Sequence, residues 1–207
     1  MKLDHPTALL IREVLSKPID VTDIESDPAF EAEVLEKSKI FYAQYGSDAR
    51  SLKDVIRSTQ VGELGEHGIY NALKDAGVNV VHNDEPKTKQ FYWDVEVEGA
   101  KCEIKFKGKS FPFLFCFSSK SMDDQLFTYW KKYDYIISFY VKENDGRKFI
   151  VPWLLIDSNV VDQQLLWKDA KPYYRDSTKD EGRYLRDEAR ELGMMVDINV
   201  NQNKFTF

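Results

Sequence analysis

The sequence predicts an α/β fold: a central mixed β-sheet flanked by helices, with an N-terminal helical extension. Three observations carry that expectation. Two segments around Gly99-Ala100, FYWDVEVE (91–98) and KCEIKFK (101–107), alternate apolar and charged residues with the period of two that a half-buried strand requires. YDYIISFYV (133–141) is a nearly continuous apolar run, rich in β-branched and aromatic residues, as in a strand buried on both faces. Helical-period patterns stand before the first pair and between it and this run, so helices and strands alternate along the chain.

Residues 5–17 predict a short helix, with Leu9, Leu10, Ile11 and Val14 on its apolar side. Asp27-Pro28 is a helix start, with an acid at the cap and proline at the first helical position. Phe30, Val34, Phe41 and Tyr45 follow near helical spacing, and Gly46 is the stop. Residues 1–50 therefore read as a helical lobe. Ser51 and Asp54 fit a capping box. It opens a helix that reaches Gly77, with a break expected near Ser58-Thr59 and with Val61, Leu64, Ile69, Ala72, Leu73 and Ala76 as its apolar face. VNVV (78–81) is a short strand, and the alternating pair follows as a hairpin turning at Gly99-Ala100. FPFLFCF (111–117) reads as a buried strand or a packed loop, and MDDQLFTYWKKY (122–133) as a helix. Beyond the 133–141 strand, Asn144-Asp145-Gly146 is a turn, and KFIVPWLLI (148–156) pairs back, with Pro152 marking an edge or a bulge. Residues 158–167 and 181–192 read as helices, and MMVDINV (194–200) and NKFTF (203–207) as short closing strands. The expected organisation is a lobe at 1–50, a core at 51–157 and an extension at 158–207 packed on that core.

Bulk properties exclude several classes. Apolar residues make up 43% of the 207 and charged residues 31%, ordinary values for a folded globular chain. No stretch approaches the roughly 20 apolar residues of a membrane span, so no membrane partner is expected. The opening MKLDHPTALLIREVL is interrupted by Asp4, Pro6 and Glu13 and does not read as a secretory leader. Cys102 and Cys116 are too few for a disulfide framework or a zinc set, and an intracellular, cytoplasmic setting is expected. The net charge of −6 excludes whole-surface attraction to phosphate as the main force. One segment runs the other way: residues 101–121 carry five basic side chains and one acidic.

The hairpin holds the chemistry. With a turn at Gly99-Ala100, Asp94 falls across from Lys105 and Glu96 across from Glu103, on one charged face. Carboxylates facing each other repel, and a divalent cation between them offsets that; Mg²⁺ is held by one or two carboxylates with phosphate and water. Such an ion polarises a phosphoryl oxygen and lowers the pKa of bound water, while a neighbouring ammonium stabilises charge developing on phosphorus. Asp94, Glu103 and Lys105 thus point to metal-assisted cleavage of a phosphodiester, with Mg²⁺ as cofactor, Mn²⁺ as its substitute and a nucleic acid, DNA first, as partner. Lys107, Lys109 and Lys120, beside Ser118 and Ser119, are candidate grips on the phosphates flanking the cut. The competing expectation is a binding module without catalysis, in which the charged hairpin is a solvated surface.

Asp94, eight residues, then Glu103-Ile104-Lys105 resembles the PD-(D/E)XK motif of the restriction-endonuclease-like nuclease superfamily. The order helix, strand, strand, strand, helix, strand over residues 59–142 is similar to that superfamily's core. The proline that precedes the first acid in the motif is Trp93 here. The resemblance implies a further metal-site glutamate in a Gly-x-x-Gly-Glu context, which Gly62-Glu63-Leu64-Gly65-Glu66 supplies as Glu66, with Glu63 as the fallback. It implies the Ile104 main-chain carbonyl as a metal ligand. Gln125 and Tyr129 resemble a Gln-x-x-x-Tyr element of the exonuclease branch, which implies substrate contact by Gln125. A homodimer, an exonuclease and an RNA or branched substrate are all compatible with the resemblance. His67 and His82 read as structural or surface residues, Cys102 as core, and Arg183, Arg186 and Arg190 as a salt-bridged helix surface.

Overall fold

The computed structural model describes residues 2–45, 51–83, 93–106, 134–159 and 190–199. Helix α1 (Pro6–Val14) starts on its proline behind His5, whose ring Nδ1 accepts the Thr7 N–H at 3.3 Å, and it buries Ala8 and Ile11. Strand β1 (Ile19–Asp20) and helix α2 (Thr22–Glu25) come next. Helix α3 (Pro28–Tyr45) begins where Asp27-Pro28 predicts, with the Asp27 carboxylate accepting the Ala29 N–H at 2.8 Å. Helix α4 (Leu52–Asp75) opens in the expected capping box: Ser51 Oγ accepts the Asp54 N–H and Asp54 accepts the Ser51 N–H, both at 3.2 Å. The break expected near Ser58-Thr59 is not there. The Ser58 hydroxyl donates to the Val55 carbonyl at 2.9 Å, which satisfies its polar group without leaving the helix.

The remaining strands are β2 (Val80–His82), β3 (Val95–Val97), β4 (Ala100–Phe106), β5 (Tyr135–Asn144), β6 (Arg147–Asp157) and β7 (Met195–Asp197). All join one mixed sheet in the order β1-β6-β5-β4-β3-β2, with β7 also on β6. Strands β2, β3 and β4 form an antiparallel meander; β4 and β5 are parallel; β6 returns antiparallel to β5. Parallel neighbours need a crossover, usually helical, between them. The expected helix at 122–133 lies in that interval and outside the described residues. So do FPFLFCF, most of the expected helices at 158–167 and 181–192, and NKFTF.

The helical lobe expected over residues 1–50 is not purely helical: Ile19 and Asp20 pair with Ile150 and Phe149 on the edge of β6. A two-residue strand is too short to leave a period in the sequence. Pro152 stands at the irregular step of β6, where Ser138 faces Leu154 but Phe139 faces Pro152, so β6 accommodates one extra residue there. A bulge tolerates the missing N–H of proline.

Helix α4 lies against the sheet by way of two glycines. A Cβ on Gly65 would land in the Phe139 ring, and one on Gly68 would meet Ile150 Cδ1 at 2.5 Å. Leu64, Ile69 and Leu73 join Val95, Val97, Cys102, Ile104 and Ile137 in the core. Ile136, Leu154 and Ile156 are fully buried as well, so β5 and β6 are covered on both faces, as their continuous apolar runs predict. Burial pushes the Cys102 thiol well above its ordinary range. In Cys116→Ser protein, Cys102 is therefore expected to resist alkylation near pH 8 while folded and to react fully in denaturant; rapid labelling of the folded form would contradict this placement. Among the described residues, no helix is long and apolar enough to cross a membrane.

Candidate functional site

The hairpin turns one residue earlier than the sequence reading places it. Glu98 and Gly99 have φ of 49° and 79°, the pair of positive angles that a two-residue hairpin loop favours. Val97 faces Ala100, Glu96 faces Lys101 and Val95 faces Cys102. The expected pairs, Asp94 with Lys105 and Glu96 with Glu103, do not form, because moving the turn by one residue shifts the register by two. Glu96 meets a lysine instead of an acid, and the acid that the observed register brings toward Glu103 is Asp94. The Lys101 ammonium lies over the Trp93 ring, 3.9 Å from its centroid.

Asp94 and Glu103 come together by another route. The Asp94 N–H donates to the Cys102 carbonyl at 3.0 Å, and its Oδ2 accepts the Ile104 N–H at 2.7 Å. The Asp94 carboxylate thus holds the peptide that links Glu103 to Ile104. A strand residue presents its N–H and C=O on the same side, so the Ile104 carbonyl also leaves β4 toward Asp94. The Lys105 ammonium contacts the Glu103 carboxylate in an ion pair. Asp94 is 2% exposed and Glu103 is 6% exposed. A solvated charged hairpin would leave both in water. Burying a carboxylate costs several kcal/mol unless charge and hydrogen bonds compensate, on the order of what one well-made pair returns.

Glu66 is buried on α4, next to the Gly65 that packs on Phe139. Phe139 faces Phe106 in the parallel register, with ring centroids 5.7 Å apart. This turn of α4 therefore crosses the sheet at the end of β4 that carries Lys105. Glu63 is turned elsewhere: its Oε2 accepts from the Lys37 ammonium of α3 at 2.6 Å. That separates the two glutamates that the sequence leaves as first choice and fallback. Lys107, Lys109, Lys120 and Gln125 lie outside the described residues.

The structure also gathers residues that the sequence reading sets aside. Among the described residues, the group whose ligand atoms all lie within 4.8 Å of one another is Glu33, Glu63 and His67. The spacing of four in Glu33/Lys37 and in Glu63/His67 was legible, but nothing in the sequence pairs α3 with α4. Burial raises the Glu33 carboxyl, yet hydrogen bonding and charge from Lys37 outweigh it and hold Glu33 below its usual 4.5. Burial lowers the Lys37 ammonium, yet its bonds to Glu33 and Glu63 lift it above its usual 10.5. The depressed Glu33 contributes stability in full above 4.5, lost as pH falls through its folded value; the raised Lys37 contributes below 10.5, lost as pH rises through its own. Lys37→Met is expected to lower Tm across the neutral range and to flatten both limbs of a Tm-against-pH curve. Parallel curves for variant and wild type would contradict this.

Comparison with family models, with curated proteins and with solved structures finds no match to this chain. The functional reading therefore rests on the residues and their geometry.

Proposed function

We propose that the protein is a Mg²⁺-dependent nuclease that hydrolyses phosphodiester bonds, with DNA as substrate and internal cleavage as its mode. The observation that carries this reading is the buried pair Asp94 and Glu103 on one peptide of a hairpin, with Lys105 against Glu103. The order of elements adds support: helix α4, the meander β2-β3-β4, then β5 parallel to β4. The PD-(D/E)XK resemblance implies this order with one more helix between β4 and β5, at 122–133, which lies outside the described residues.

The donor set suits a hard divalent cation, since Asp94, Glu103 and the Ile104 carbonyl offer oxygens alone. Glu66 would complete the set from α4. When bound, Mg²⁺ supplies Lewis-acid polarisation of a phosphoryl oxygen and a bound water of lowered pKa. Asp94 and Glu103 provide the negative charge that retains the ion. Lys105 pairs with Glu103 and keeps its side chain about half exposed, at 48%, which supports a role in which its ammonium would meet the phosphate and the charge that develops on it. Lys107, Lys109, Lys120 and Gln125 are the proposed contacts to the flanking backbone, which position a strand without reading its sequence.

The alternative is a nucleic-acid- or protein-binding module without catalysis, and the net charge of −6 speaks for its protein-binding form, because it opposes attraction to phosphate. Metal-dependent unfolding separates the two. The nuclease reading predicts a saturable rise of Tm with Mg²⁺ or Mn²⁺, and the rise with Mg²⁺ is absent in Asp94→Asn. A Tm indifferent to both ions would favour the binding module. Product lengths from linear and supercoiled DNA, beside an RNA of the same sequence, then distinguish internal cleavage, end resection and ribonuclease action.

A further inference from the structure

Four side chains between α3 and α4 take no part in the hairpin site. Glu33 and Lys37 stand one turn apart on α3; Glu63 and His67 stand one turn apart on α4. The Lys37 ammonium lies between the two carboxylates, 2.7 Å from Glu33 and 2.6 Å from Glu63, and His67 Nε2 is 3.3 Å from Glu33. A second imidazole, His82 of β2, packs against His67 with ring centroids 5.5 Å apart. Phe30 closes the other side of the His67 ring, edge to face at 5.6 Å.

We propose that Glu33, Glu63 and His67 form a site for a first-row divalent cation of the zinc class, with Lys37 as a resident cation that the metal displaces. The ligand chemistry selects the class: an imidazole nitrogen with two carboxylates suits zinc and its neighbours, whereas magnesium prefers oxygen alone. Bonds of about 2.0–2.2 Å in a tetrahedral shell place donor atoms roughly 3.4 Å apart. The three donors already lie within 4.8 Å of one another, so side-chain rotation brings them to that spacing without moving a helix. An ammonium held by both carboxylates marks the point where the fold favours positive charge. Two carboxylates against one ammonium leave one negative charge there, which a dication removes. Glu63 is buried and stays in place, while the Lys37 side chain is 41% exposed and has solvent to swing into. The fourth position falls to water or to His82. This site is independent of the nuclease reading, because it shares no ligand with the hairpin.

The test is a Zn²⁺ titration against a competing chromophoric chelator near neutral pH, in Asp94→Asn protein so that the hairpin site does not contribute. One saturable equivalent is expected. His67→Gln is expected to weaken it by about tenfold or more, and Lys37→Met to tighten it by about tenfold, since removal of a competitor has the opposite sign to loss of a ligand. If His67→Gln does not fold by circular dichroism, Glu33→Gln, at a side chain 34% exposed, gives the same reading. No saturable binding in either the Asp94→Asn protein or its Lys37→Met derivative would overturn the site. Binding that neither ligand substitution weakens would overturn it too. Failure of Lys37→Met to tighten binding would overturn the displacement.

Discussion

Lys105→Ala is expected to slow phosphodiester cleavage by about a thousandfold while Mg²⁺ binding is kept or tightened. The ammonium contacts Glu103, so in the metal-free protein it compensates a carboxylate that is 6% exposed. Its removal takes an ion pair away from a buried carboxylate, which destabilises the metal-free fold and makes a cation more welcome. Asp94→Asn is the counterpart. An asparagine oxygen still accepts the Ile104 N–H, so the hairpin holds, but the charge that retains the metal is gone. That variant is expected to lose both Mg²⁺ binding and cleavage. Single-turnover rates beside metal-binding isotherms for the two variants separate the roles. If Lys105→Ala cleaves at the wild-type rate, the lysine is an ion-pair partner and nothing more.

Gly65→Ala is expected to be the most destabilising single-methyl change in the described core. The added carbon falls inside the Phe139 ring, and Phe139 is itself fully buried. Overpacking of this kind costs roughly 1–3 kcal/mol or more, and the gain of about 1 kcal/mol from replacing a helical glycine does not cover it. A net loss of about 2 kcal/mol would lower Tm by about 4–8 °C in a chain of this size. Because Glu66 follows directly, cleavage should fall as well when α4 shifts off β5. Gly62→Ala is the control: a Cβ there meets nothing within 4 Å, so that variant should be neutral or stabilised by up to about 1 kcal/mol. Equal Tm for the two alanine variants would mean that α4 does not pack on the sheet by its Gly65 side.

These two glycines illustrate what was legible in the chain. Gly62 and Gly65 read alike as parts of one motif, and only tertiary contact assigns Gly65 to close packing. The strands at 95–97, 100–106, 135–144 and 147–157 were legible because the period of two and the apolar runs are local signals. The capping box at Ser51 and the start at Asp27-Pro28 were legible because caps are encoded within four residues. The hairpin register was not. Glu98 takes a left-handed conformation unusual for its type, and a shift of two residues leaves every side chain on its expected face, so the pattern alone does not reveal the error. The burial of Asp94 and Glu103 was not legible either, since a charged strand face reads as solvated until its cover is known. Strand β1 and the pairing of α3 with α4 come from contacts between distant segments that carry no period of their own.

The measurement that tests the central claim most directly is cleavage of supercoiled DNA in Mg²⁺, wild type beside Asp94→Asn, each first shown to be folded by circular dichroism. The nuclease reading predicts that wild type converts the supercoiled form to nicked and linear products in Mg²⁺ and not in EDTA, and that Asp94→Asn leaves it intact. Folded wild-type protein that leaves DNA and RNA uncut in either Mg²⁺ or Mn²⁺ would contradict it, and the Asp94–Glu103–Lys105 hairpin would then stand as a binding surface.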